Sequence, residues 1–325
     1  MNLRFYALLI FVTVAGALPA CNIPVFRYAL ERWKSDPYTV IVFRDKAYDQ
    51  RQQESLKSLK PSGENPANIE LVEFDLTALP SDEKYSQLWQ QLNQQSKTIA
   101  LPHVVVRATL PTGKVNAWHG PLDEAAKLGL ANSPARDELA KRLLRGDSIV
   151  WLLINSSDKS KNDRAKQLLT KTTAGLEKKV KLPEGVGIPG SELFSEVPLL
   201  VQYSILEIEA GSAKEKFLTQ MFGGIRSRAF AKNEPLIIPV FGRGRALEVI
   251  PAVDLNANLI EDLTIFLNGP CSCQVKERNP GFDILMAANW DRELFGEEGQ
   301  RPPAKPPTKQ NAKPDYLKIP LGRKR

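Results

Sequence analysis

Residues 148–154 read Ser-Ile-Val-Trp-Leu-Leu-Ile, an apolar run behind a single serine. The length suits a strand, and the missing polar alternation is that of a strand covered on both faces by helices. The residues downstream agree with a buried strand in an α/β unit. A Lys-rich helix is predicted over 160–181, a Gly/Pro-rich surface loop at Leu182–Gly190, a strand at Leu199–Ile208 and a helix at 212–222. A hairpin of Leu236–Phe241 and Ala246–Ile250 turns through Gly242-Arg243-Gly244, and a helix at 256–268 closes this half.

Upstream the alternation repeats. Val25, Phe26, Ala29, Leu30 and Trp33 mark one face of a helix over 23–33, with Pro24 suited to its first turn. Strands at Tyr38–Phe43 and Ile69–Leu76 flank a polar helix near 48–60, and a helix near 82–95 carries Tyr85, Leu88, Trp89 and Leu92 on one side. Strand Leu101–Ala108, a turn at Pro111-Thr112-Gly113 and a short strand Val115–Trp118 form a second hairpin. Ser133 as N-cap and Pro134 at N1 open a further helix, which Gly146 closes. Beyond 268, Lys276–Asp283 reads as a charged stretch and turn, and Ile284–Leu294 as a satellite helix.

This order of elements resembles the thioredoxin fold, twice. Residues 148–268 run strand, helix, strand, helix, hairpin, helix, similar to the βαβαββα sequence of that superfamily, with Pro235 or Pro239 near the place of its cis-proline. The first half is similar from helix 23–33 onward, with Leu101-Pro102-His103 entering the hairpin, a leading strand missing and helix 82–95 inserted. The resemblance covers residues 21–270. It implies an α/β fold of two tandem thioredoxin-like domains, each a three-layer α/β/α arrangement: 21–147, and 148–298 with a C-terminal extension. The redox motif is lacking. No Cys-x-x-Cys opens either helix: Asn155-Ser156-Ser157-Asp158-Lys159 holds no thiol, and Pro24 stands where a partner for Cys21 would fall. Cys21–Trp33 is also similar to the start of uncharacterised exported bacterial proteins, which implies no activity.

Residues 1–20 have the build of a secretory signal peptide. A basic start at Met1–Arg4 precedes the uncharged run Phe5–Ala17, too short for a stable membrane helix, and Ala20 suits a cleavage site. Leu18-Pro19-Ala20-Cys21 resembles the lipobox of bacterial lipoproteins, which makes Cys21 a candidate lipidation site and lipid anchor. Pro19 departs from that pattern, and no flexible tether follows the Cys. The alternatives are a structural cysteine and a thiol whose pKa is lowered at a helix N-terminus. Export to the periplasm or cell envelope is the expectation.

The chain of 325 residues is 42% hydrophobic and 25% charged, a globular composition. Its net charge of +7 is confined to one place. Arg301–Arg325 holds eight Lys or Arg against one Asp, and the body is balanced at 36 of each sign. A basic stripe on the body, expected of a nucleic-acid reader, is therefore not required. The tail, 299–325, is rich in proline and reads as disordered, with contact to anionic lipid, an envelope polymer or an acidic partner as the functional alternative.

Chemistry has few places to sit. The cysteines are Cys21, Cys271 and Cys273. Cys271-Ser272-Cys273 can be a staple for the C-terminal segment, a strained and reactive disulfide, or a soft-metal pair suited to Cu(I), with Cys21 as a third redox candidate. His103 and His119, the only histidines, fall on one hairpin as potential neighbours, short of ligands for a metal. Ser133 and Ser157 lack a nucleophile elbow, and Gly242-Arg243-Gly244-Arg245 is a hairpin turn, not a phosphate loop. The expectation is an exported, non-enzymatic binding or assembly module with an envelope protein partner and no cofactor. The alternative is thiol–disulfide exchange or Cu(I) handling by Cys271 and Cys273.

Overall fold

The computed structural model describes residues 22–63, 66–78, 82–95, 98–272 and 274–303. The leader, Cys21, Cys273 and the tail from Ala304 onward lie outside the described residues. The chain is α/β with two mixed sheets. Helix α1 (Val25–Arg32) precedes β1 (Tyr38–Arg44), α2 (Gln50–Leu59), β2 (Ile69–Asp75), α3 (Glu83–Gln95), β3 (His103–Leu110) and β4 (Gly113–Pro121). Then come α4 (Leu122–Lys127), α5 (Pro134–Leu144), β5 (Ile149–Ile154), α6 (Lys159–Glu177) and β6 (Tyr203–Ile208). The rest is α7 (Lys216–Ile225), α8 (Ser227–Ala231), β7 (Leu236–Phe241), β8 (Arg245–Ala246), β9 (Ile250–Pro251), α9 (Ala257–Asn268), β10 (Phe282–Asp283) and α10 (Trp290–Phe295).

The first sheet has the order β2-β1-β3-β4, with β1 parallel to β2 and antiparallel to β3. The second has the order β10-β8-β7-β5-β6, with β9 also on β7; β5 is parallel to β6 and antiparallel to β7. Period-2 alternation sorts the side chains into layers. In β5, Val150, Leu152 and Ile154 enter a central core, while Ile149, Trp151 and Leu153 face α6 and α9 on the outer side. In β1, Val40 and Val42 join the same central core, and Ile41 and Phe43 pack under α3. The run at 149–154 is apolar throughout because both its faces are covered.

Several expectations are corrected. No strand is missing ahead of the first sheet, and α3 simply covers its outer face; the extra element is α1. That helix packs its apolar face on the second sheet, where Val25, Phe26 and Ala29 share a core with Leu169, Phe241 and Leu263. Gly242, at φ 57°, permits the approach, since a Cβ there would lie 2.7 Å from the Ala29 Cβ. Among the described residues the cis peptide precedes Pro102, not Pro235 or Pro239. The strand placed at Val115–Trp118 is the longer β4, since the two-residue turn at Pro111-Thr112 lets pairing start at Leu110–Gly113.

The C-terminal extension is mortar between the sheets. Phe282 and Asp283 pair with β8, and the chain then runs past the head of β2. There the Met286 amide donates to Asn68 Oδ1 (2.8 Å), Asn68 Nδ2 donates to the Ile284 carbonyl, and Ala67 bridges Ala287. Tyr38 Oη donates to the Asp283 carbonyl (2.9 Å), and Arg136 of α5 donates to Leu285 as well as to Leu130 and Gly129 carbonyls. The helix placed at Ile284–Leu294 is accordingly non-helical through Asn289 and helical only from Trp290.

Candidate functional site

Where the two sheets meet, the surface opens into a groove of about 650 Å³. One wall is the β3–β4 hairpin, with Leu110, Val115 and Ala117. The other is α7, with Met221 and Ile225, and the floor is Leu247 and Phe282. The hairpin's register shifts between Val106 and Arg107: Val106 faces Trp118 while Arg107 faces Asn116. Ala117 is the extra residue, and such a bulge re-aims side chains where a surface is being shaped. The polar end is an ion pair, Arg226 NH2 to Glu248 Oε1 at 2.6 Å, with Arg226 Nε donating to the Val249 carbonyl at 2.7 Å. Both side chains are partly exposed, so the pair contributes at most about 1 kcal/mol to folding and its charges stay accessible to a bound group. An apolar trough closed by one charged pair suits a hydrophobic ligand segment with a polar end.

The loops after β1 and β5 are occupied by their own hydrogen bonds. Asp49 and Gln52 form a reciprocal cap at the start of α2. After β5, the Ser157 amide donates to Asn233 Oδ1 (3.1 Å), Asn233 Nδ2 returns to Ser157 Oγ (2.8 Å), and Asp158 caps α6 through the Lys161 amide. Ser133 stands at the N-cap of α5, but its hydroxyl accepts from Arg136 Nε. The cap function passes to Glu215, whose Oε1 accepts the Ala135 amide at 2.8 Å.

The histidines do meet. His103 Nε2 lies 3.3 Å from His119 Nδ1, with His103 buried against Trp89 and His119 exposed. Burial, and then the neighbouring imidazole, depress the His103 pKa to about 4 from 6.5. Between those values the unfolded chain binds the proton that the folded chain refuses. Stability is thus intact above pH 6.5 and falls as pH drops toward 4, by at most about 3 kcal/mol. Urea unfolding at pH 7 and pH 4.5 should show this loss in the wild type and a smaller one in His103→Phe; equal losses would remove the assignment.

Of the sulfur candidates, Cys271 is buried at 1% exposure beneath α9, its amide donating to the Ile23 carbonyl at 2.9 Å. Cys21 and Cys273 lie outside the described residues. Among the described residues, no group of three or more His, Cys, Asp or Glu is placed to hold a metal ion, and no helix is long and apolar enough to cross a membrane. The groove was not foreseen, because its walls come from segments more than a hundred residues apart and no motif marks them. No protein-family model, curated protein or solved structure matches this chain.

Proposed function

We propose that this chain is an exported envelope protein acting as a non-enzymatic binding or assembly module, built on two thioredoxin-like units, with the seam groove as its binding surface. The observation that carries the proposal is that both units contribute walls to one apolar trough, while the loops after β1 and β5 carry no thiol. The thioredoxin-like reading is supported by topology. The orders β2-β1-β3-β4 and β6-β5-β7-β8 match, with parallel first strands and antiparallel hairpins. In both units the helix after the first strand and the helix after the hairpin share a face, and the helix after the second strand covers the other.

Filling the trough tests the proposal. Ala117→Trp and Arg226→Glu replace half-buried groove-lining side chains, neither of them fully buried, and should shift unfolding by no more than about 1 kcal/mol. Recovery of envelope partners with the full chain should fall by at least about tenfold. Undiminished recovery by both variants would place the contact elsewhere.

One observation favours the second reading, thiol exchange or Cu(I) handling: the hydrogen bond from the Cys271 amide to the Ile23 carbonyl brings the segment that follows Cys21 beside Cys271. The burial of Cys271 opposes it, since exchange needs a reachable sulfur. Counting reactive thiols in the mature protein, with and without reductant and Cu(I), separates the two.

A further inference from the structure

We propose that the surface around Asn22 is a lipid-docking face on which the folded body lies directly against a membrane. The proposal rests on the reading of Cys21 as a lipid anchor. The first observation is the absence of slack between that residue and the body. The Asn22 amide donates to Ser191 Oγ at 3.0 Å, Ile23 is fully buried, Pro24 pairs with Pro270, and α1 begins at Val25. One extended residue spans roughly 3.5 Å, so an acylated Cys21 brings this face to the level of the lipid headgroups. A body held so short can present only the surface that surrounds its attachment point.

That surface has the side chains for it. Ile188 and Ile265 are each 53% exposed, and they come from different elements, the loop after α6 and the outer side of α9. Both border the chain entry. A Cβ on Gly185 would lie 2.9 Å from Asn22 Nδ2 and 3.1 Å from Ile188 Cδ1, while Ile265 and Pro270 line one shallow depression with Pro183. Ile260, Leu263 and Leu267 already supply the buried face of α9, so Ile265 is surplus to the core. Exposed Lys179 and Lys181 line the depression with Glu261, and Glu184 and Glu192 are the acids on the loop that carries Ile188. Lysines in that position can lay their stems on apolar surface and keep their charges at headgroup level.

Size and place decide for lipid over protein. A stable protein interface buries more than about 1,000 Å², which two isoleucines and two prolines do not supply. Shallow insertion of a few apolar side chains next to an acyl anchor needs far less.

Hydrogen exchange on the full chain tests this, first in the wild type and then in a variant of the docking face. The acylated protein is measured on vesicles of phosphatidylglycerol and phosphatidylethanolamine, and the Cys21→Ser chain free in buffer. Amides of 184–190 should exchange at least about threefold more slowly on the vesicles, with 227–231 on α8 unchanged. In the acylated Ile188→Asp/Ile265→Asp double variant, which touches no core position, the slowing should vanish while the chain still sediments with vesicles. Acylated wild type exchanging at the buffer rate in 184–190 overturns the docking face and leaves the anchor standing. A bare Cys21 in the mass of the N-terminal peptide overturns the anchor, and the docking face with it.

Discussion

Asp283→Ala is expected to lower the free energy of unfolding by about 3–5 kcal/mol, read as a shifted midpoint in urea. The Asp283 carboxylate is 5% exposed and holds a buried, charge-balanced cluster together. Its Oδ2 accepts Lys276 Nζ and the Asp36 amide, each at 2.5 Å, and its Oδ1 accepts Arg245 NH1 at 3.2 Å. Arg245 also donates to the carbonyls of Asn279, Pro280 and Gly281, and Lys276 to the Lys34 carbonyl and Asp36. Those bonds survive the substitution, but two cations then face one carboxylate, that of Asp36. The penalty arises from charge left inside, not from the worth of the pair, and Asp283→Asn strands the same charge, so it should recover only the part that its amide oxygen can accept by hydrogen bonding. A loss under about 1 kcal/mol would mean that water shares the cluster and the clasp is weak. Because Phe282, Gly281 and Pro280 shape the groove, the same variant should also weaken partner recovery.

Asp283 marks the boundary of what was legible in sequence. Periodicity is local, so the strand at 149–154, the helix at 257–268 and the turn at 242–244 could be read from neighbouring residues. The meeting of His103 and His119 was legible for the same reason, since a tight hairpin sets cross-strand neighbours. The amphipathic face of α1 said that it would be buried, but not against what. Its partners at 192–195 and 269–271 lie more than 150 residues away. Arg243 lies in the turn as expected, whereas Arg245 already belongs to strand β8, and the work of both as buried hubs leaves no sequence signal. Arg243 donates to the Leu30 and Glu31 carbonyls and Arg245 to three others, and a backbone carbonyl leaves no mark in a sequence. The groove leaves no sequence mark on the same ground, since its lining comes from distant segments.

Glu31→Ala should cost a similar amount, about 3–5 kcal/mol, and should act on the attachment of the N-terminal helix. The Glu31 side chain is fully buried and accepts Arg27 Nε (2.9 Å), Arg32 NH1 (3.0 Å) and the amides of Phe194 (3.1 Å) and Ser195 (3.2 Å). Without it, the Arg27 guanidinium remains inside at 1% exposure, held by the Ser195 carbonyl and with NH1 lacking any hydrogen-bond partner. Burial already lowers the Arg27 pKa, and Glu31 is the main influence opposing it. Restoring shape without charge, as Arg27→Met/Glu31→Leu, should recover most of the loss, and the double-mutant cycle reads the coupling directly. A double variant as unstable as Glu31→Ala would show that packing, not stranded charge, sets the cost. In the acylated chain the single variant has a further consequence. Loosening α1 from 192–195 turns Asn22–Arg32 into a tether, so 184–190 should regain fast exchange on vesicles although the protein remains membrane-bound. Slow exchange persisting there would mean that the lipid contact of Ile188 and Ile265 holds the body down without the helix.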